Sequence, residues 1–209
     1  MVPLPIPRTR LAAIRDPSKA RFPDGCRRFA TSSCPIANRP MADSSTLTHP
    51  DPEGGVRMVD VSKQSDSART AVAAGRVHLG EEAYRRVQNH DIEKGDVLTT
   101  AQIAGIMGAK QTDKLIPLCH DVTINGVEVD FTFNEEEQAI DIRAFAKSFG
   151  VTGVEMEALT AVSIAGLTIY DMCKSVTKDI RIGNVHLRAK TGGQSGNWKS
   201  ESDNGSSQS

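Results

Sequence analysis

The sequence predicts an α+β fold in which helices cover an antiparallel sheet. Three observations carry this. Residues 127–133 and 140–146 each alternate apolar and polar side chains across a short polar link, 134–138, as a β-hairpin does. A long helical stretch, from Gly153 to about Val176, follows the hairpin. Two shorter helical stretches separate the hairpin from an earlier strand.

Taken in order, residues 60–68 are polar and predict a loop, and 71–79 predict a strand. Residues 81–89 are helix formers that follow Gly80. Lys94-Gly95-Asp96 has turn chemistry. Thr99 or Thr100 is the expected hydroxyl cap of a second helix, which carries Ile103, Ile106 and Met107 on one face and reaches about Gln111. Pro117 makes residues 115–120 irregular. In the hairpin, Val127, Val129, Phe131 and Phe133 point one way, while Glu128, Asp130 and Thr132 point the other. Ile140, Ile142, Ala144 and Ala146 repeat the apolar pattern. After the long helix a last strand falls near 185–189. The order β, α, α, β, β, α, β is that of a ferredoxin-like βαββαβ sandwich with one extra helix. Its helices cover one face of an open sheet, so the other face is solvated or covered by a partner. Oligomerisation is expected.

The 209 residues divide unevenly in charge: the first 50 carry eight cations against three acids, leaving −6 on the other 159. That first stretch is rich in Arg, Ser and Pro and has no Glu before Glu53. This is the composition of an organellar transit peptide, and Arg27-Arg28-Phe29-Ala30 resembles a processing site. A mitochondrial matrix protein is expected, ahead of a plastid one. Residues 1–55 are read as transit peptide and linker, 56–190 as the catalytic domain, and 191–209 as a flexible Gly/Ser-rich tail. Two cysteines, Cys26 and Cys34, fall in the presequence. The remaining Cys119 and Cys173 are too few for a disulfide framework. No apolar run is expected to cross a bilayer. The acidic folded unit argues against nucleic-acid binding.

The long helix holds the most informative pattern. Leu159, Val162, Leu167, Tyr170 and Cys173 supply apolar faces, while Glu157, Thr160, Thr168 and Asp171 fall on one stripe. Lys174 lies one turn beyond Asp171, so the two can pair at i, i+3. A surface ion pair of this kind contributes little. Among the apolar neighbours Ile169, Tyr170, Met172 and Cys173, a charged pair is expected to be buried and used. Fourteen residues separate Glu157 from Asp171, roughly 21 Å of helix. One small substrate cannot touch both on a single copy. Two antiparallel copies about a two-fold axis near Ile164 would bring them together.

Other polar groups read more weakly. Lys110 and Lys114 suit a helix C-terminus or an anion site. Cys119, His120 and Cys173 make at most three zinc ligands, short of a structural set. Basic groups for a phosphate must be gathered from Arg69, Lys94, Lys110, Lys114, Lys147, Lys174 and Lys190.

Several strings together carry a resemblance: Met58-Val59-Asp60-Val61-Ser62, Lys94-Gly95-Asp96-Val97, Ile103-Ala104-Gly105-Ile106-Met107, Leu115-Ile116-Pro117-Leu118-Cys119-His120, Thr152-Gly153-Val154-Glu155-Met156-Glu157-Ala158-Leu159 and Tyr170-Asp171-Met172-Cys173-Lys174. From about Met58 to Gly196 the chain resembles the MoaC family of cyclic pyranopterin monophosphate synthases, from molybdenum cofactor biosynthesis. The resemblance implies a lyase that converts 3′,8-cyclo-7,8-dihydro-GTP to cyclic pyranopterin monophosphate and releases pyrophosphate. It implies a ferredoxin-like fold and a hexamer built as a trimer of dimers, with the site at the dimer interface. It places catalysis on Asp171 and Lys174. Substrate contacts fall on Leu118, Cys119, His120, Met156 and Glu157, with Lys94, Lys110 and Lys190 basic near the site. No tightly bound cofactor or protein metal site is expected, and Mg²⁺ is compatible with the triphosphate. The contrasting expectation is a non-catalytic nucleotide-binding or scaffold subunit on the same fold.

Overall fold

The computed structural model describes residues 56–201. The expectations for a transit peptide, for Cys26 and Cys34 and for the end of the tail lie outside these residues.

The chain forms β1 (Ser67–His78), α1 (Glu81–Gln88), α2 (Val97–Ala109), α3 (Thr112–Leu115), β2 (Ile124–Asn134), β3 (Ala139–Gly150), α4 (Glu155–Cys173), β4 (Arg181–Thr191) and β5 (Trp198–Lys199). The strands lie in the order β2-β3-β1-β4-β5, each pair antiparallel. The first four form the ferredoxin-like sheet, and β5 is an addition at its edge. That addition corrects the expectation of a flexible tail after Lys190: β4 continues to Thr191, and Trp198 and Lys199 pair with Lys190 and Ala189. A Gly-rich sequence concealed this, because a two-residue strand has no periodicity to read.

The hairpin register follows the sequence pattern. Val127, Val129, Phe131 and Phe133 stand opposite Ala146, Ala144, Ile142 and Ile140, so the alternating apolar sets share the face beneath the helices. In β1 the same face carries Ala71, Ala73 and Val77, all fully buried. The opposite face is largely polar: Arg76 binds Glu137 and Asp141, and Arg143 binds Asp130.

Helices α2 and α4 pack closely because glycine removes the side chains between them. A Cβ at Gly105 would stand 2.9 Å from the Ala161 carbonyl oxygen, and one at Gly108 would stand 2.7 Å from Ile164. Ile164 therefore packs against α2 of its own chain. Gly166 plays a similar part toward the sheet, where a Cβ would meet Ile182 at 3.1 Å. Helix α1 is amphipathic, and Tyr84 meets Phe133 edge to face at 5.5 Å.

Three further expectations are corrected. Helix α2 begins three or four residues early, capped by the Asp96 carboxylate on the Thr99 amide at 2.9 Å rather than by a threonine hydroxyl. A carboxylate reaches the N3 amide as well as a hydroxyl does. Helix α4 is long and apolar enough to cross a membrane by length and composition, contrary to the run-length reading. Here it is the core helix, with Ala158, Ala161, Val162, Ala165 and Ile169 fully buried. Leu167, expected on an apolar face, is exposed, as are Ile103 and Met107 of α2.

Candidate active site

Helix α4 carries polar groups at both ends, and the fold surrounds each end differently. At its N-terminus the irregular segment after α3 and the segment before β1 fold over the first turn. Between them lies a cleft of about 370 Å³. Leu118, Cys119, His120, Met156 and Glu157, the five expected substrate contacts, all line it. Arg57, Gln64, Thr152 and Glu155 line it as well. Motif reading had assigned these four no role. Glu155 was legible as the neighbour of Met156 and Glu157, and Gly153 makes room for its carboxylate: a Cβ there would clash with Glu155 Oε2 at 1.9 Å.

Within this cleft Glu157 is only 4% exposed. Burial holds its carboxyl above the ordinary range, and the nearby Glu155 and Asp113 carboxylates push the same way. Burial and then Glu157 also raise the Cys119 thiol, so Cys119 is not an activated nucleophile. His120 is within electrostatic reach of the Asp60 carboxylate.

The cleft wall is tied from below by Arg69, which is buried on β1. Its Nε and Nη2 donate to the carbonyls of Gly150 and Val151, at 3.3 and 2.9 Å. The Gly192-Gly193 pair, both at positive φ, lies directly over this guanidinium. On β4, Lys190 stands opposite Ala71 and donates to the Ser195 hydroxyl.

At the C-terminal end Asp171 is clamped by two ammonium groups. Lys174 Nζ lies 2.6 Å from Oδ1, and Lys94 Nζ lies 2.7 Å from Oδ2. Lys94 also donates to the Asp171 main-chain carbonyl at 2.7 Å, one of the acceptors that a helix leaves open at its end. The hydrogen bond from Lys174, then that from Lys94, lowers the Asp171 carboxyl to about 2. Asp171 in turn raises Lys174. The pair was expected to be buried. It is instead exposed, at 55% and 50% of the two side chains, because α3 and its loop cover only the other end of the helix. The polar stripe accordingly runs from buried Glu157 and Thr160 to exposed Asp171.

The two clusters remain apart in one chain, separated by the 14-residue spacing on a continuous helix, roughly 21 Å. Lys110 joins neither; it stands exposed at the C-terminal end of α2. Cys173 is buried in the α4 core and its thiol is pushed up to about 11. Among the described residues no three His, Cys, Asp or Glu side chains group as metal ligands, so Cys119, His120 and Cys173 do not form a zinc set.

Residues 58–193 match the family model described as the MoaC family. A Salinibacter ruber protein named cyclic pyranopterin monophosphate synthase is 90% identical over 163 residues, 78% of this chain and 96% of that protein. A Bacillus subtilis protein of the same name is 48% identical, over 74% of this chain and 92% of its own. An Arabidopsis thaliana protein with that name and the added word mitochondrial is 53% identical over 75% of this chain and 58% of its own.

Proposed function

The chain belongs to the MoaC family, and from that premise we propose that it is a cyclic pyranopterin monophosphate synthase. On this reading it converts 3′,8-cyclo-7,8-dihydro-GTP to cyclic pyranopterin monophosphate and pyrophosphate in molybdenum cofactor biosynthesis. The observation that carries the reading is the convergence of Leu118, Cys119, His120, Met156 and Glu157 on one cleft, with an Asp–Lys pair at the other end of the helix that supplies two of them.

The chemistry needs proton transfers during ring rebuilding and charge stabilisation during phosphate closure. Lys174 is held charged by Asp171 and is the proton donor. Asp171, clamped by two lysines and lowered to about 2, serves as the orienting partner and is a poor base while the clamp holds. In the cleft, burial raises the proton affinity of Glu157 above that of an ordinary carboxylate, which suits a proton-holding group. In the closure step a sugar hydroxyl oxygen bonds to the α-phosphorus, the bond from that phosphorus to the bridging oxygen breaks, and pyrophosphate leaves. The hydroxyl proton passes to a base in the cleft. His120 in the cleft and the lysines at the Asp171 end of the second copy stabilise the charge on the phosphate oxygens. Mg²⁺ arrives with the triphosphate as part of the substrate, and chelator titration of turnover tests this.

The complete site is formed by two copies of the chain, the cleft of one facing the Asp171 end of the other. The 14-residue separation supports this, as do the exposed Ile103, Met107 and Leu167. Ile164 packs on α2, so the two-fold axis passes beside it, on the exposed side of α4. A trimer of such dimers is the proposed assembly, and light scattering on the purified chain tests it.

For cellular location the relatives divide. The Arabidopsis name supports matrix import. The 90% match to bacterial Salinibacter opposes an organelle address. Residues 1–50 fused to a fluorescent reporter decide between them, and a diffuse cytosolic signal withdraws the transit peptide.

The decisive assay is mass spectrometry of the product. Purified protein should release pyrophosphate and form the cyclic phosphate. Binding of substrate without turnover would instead identify a scaffold subunit.

A further inference from the structure

We propose that Asp96 is a positioning residue: by capping α2 through Thr99 it fixes the turn at Gly95, and that turn sets where the Lys94 ammonium meets Asp171. The inference deepens the reading of Asp171 and Lys174 as the working pair, and rests on it for its catalytic meaning.

Lys94 comes from a turn of few residues that is pinned on both sides. On one side Ile92 is buried in the core, and its carbonyl accepts the Gly95 amide at 2.9 Å. On the other side the Asp96 carboxylate accepts the Thr99 amide at 2.9 Å, and its carbonyl accepts the Thr100 hydroxyl at 2.6 Å. Gly95 between them has φ 100°, a conformation that side-chain-bearing residues avoid. Helix α2 is itself fixed on α4 where Gly105 and Gly108 approach Ala161 and Ile164. A rigid path therefore runs from the α2–α4 contact, through the Asp96 cap and the turn, to the ammonium on Asp171. Among the described residues Lys94 and Lys174 are the cations that pair with Asp171, and Lys174 caps the end of Asp171's own helix. The turn is thus the part of the clamp that can be misplaced without substituting any residue of α4.

The test is a carboxylate NMR titration of Asp171 in the full chain, run beside pyrophosphate release, for the unsubstituted protein, Asp96→Ala, Asp96→Asn and Gly95→Ala. Loss of the cap should move the Asp171 midpoint from about 2 toward its ordinary 3.8 and slow turnover. Asp96→Asn, which caps as well, should keep the unsubstituted midpoint. Gly95→Ala distorts the same turn without touching the cap and should raise the midpoint as Asp96→Ala does. It also decides the matter by itself should Asp96→Ala not fold. A folded Asp96→Ala or Gly95→Ala protein with an unshifted midpoint overturns the proposal, as does an asparagine variant shifted as far as the alanine one. If the unsubstituted protein releases no pyrophosphate, the catalytic reading fails, while the carboxylate titration still reads the positioning.

Discussion

Lys94 and Asp171 lie 77 residues apart in the chain, yet they meet twice, the ammonium bonding both the carboxylate and the main-chain carbonyl of Asp171 at 2.7 Å. One side chain thus caps the end of α4 and biases the carboxylate next to it. Removing the ammonium by Lys94→Ala should raise the Asp171 midpoint and loosen the last turn of α4. Hydrogen exchange at the amides of Lys174 and Val176, which close that turn, should quicken.

The Asp171 carboxyl is depressed from 3.8 to about 2 in the folded chain. A group with a depressed folded value binds fewer protons there than in the unfolded chain, so it adds stability above 3.8 that is lost as pH falls from 3.8 toward 2. Thermal unfolding of Asp171→Asn beside the unsubstituted chain checks the sign. The variant should melt lower at neutral pH, and the gap should close across that window.

Glu157 works in the opposite direction. Burial raises its folded value above 4.5, so ionising it costs stability as pH rises above 4.5. Glu157→Gln should melt higher than the unsubstituted chain at pH 8, with the difference vanishing in acid. On the proposed reading of the cleft, turnover of that variant should fall as well.

Asp171→Asn and Lys174→Ala should each reduce turnover by about 10²–10⁴-fold, the usual range for losing a positioned acid–base group. Equal activity in both would remove the catalytic assignment. Mixing inactive Asp171→Asn with inactive Glu157→Gln supplies a sharper test of the shared site. If two-fold dimers exchange chains freely, about a quarter of the sites become complete. No recovered activity after demonstrated exchange would place the whole site in one chain.

Gly105→Ala should destabilise the fold even though alanine favours helix by about 1 kcal/mol. Its Cβ would sit 2.9 Å from the Ala161 carbonyl, a backbone atom that cannot swing away, and overpacking typically costs about 1–3 kcal/mol. A lower denaturation midpoint, with an unchanged urea slope, is the expected outcome.

How far the sequence could be read depends on the range of the interaction. The hairpin register was legible because Val127 to Phe133 alternate with a period of two and one face must be buried. Element order gave the sheet class. The cap on α2 was misread because Asp96 and Thr99 both have capping chemistry, and only geometry tells donor from acceptor. The burial of Asp171 was misjudged because neighbours on the same helix say nothing of what covers it; α3 covers Glu157 and stops short. The Lys94 contact and the Trp198 strand depend on residues brought together by the fold, which no local pattern encodes.

The rigid span of α4 has a consequence for how this protein can vary. Its middle is locked by Gly105, Gly108 and Gly166, while its ends carry the two polar clusters. If each site is assembled from opposite ends of two such rods, the rod acts as a ruler. Inserting one helical turn, about 5.4 Å, would carry Asp171 away from Lys94 and put the acid–base pair out of reach of the cleft. Insertions and deletions should therefore be tolerated in the β2–β3 link and not between Glu157 and Asp171.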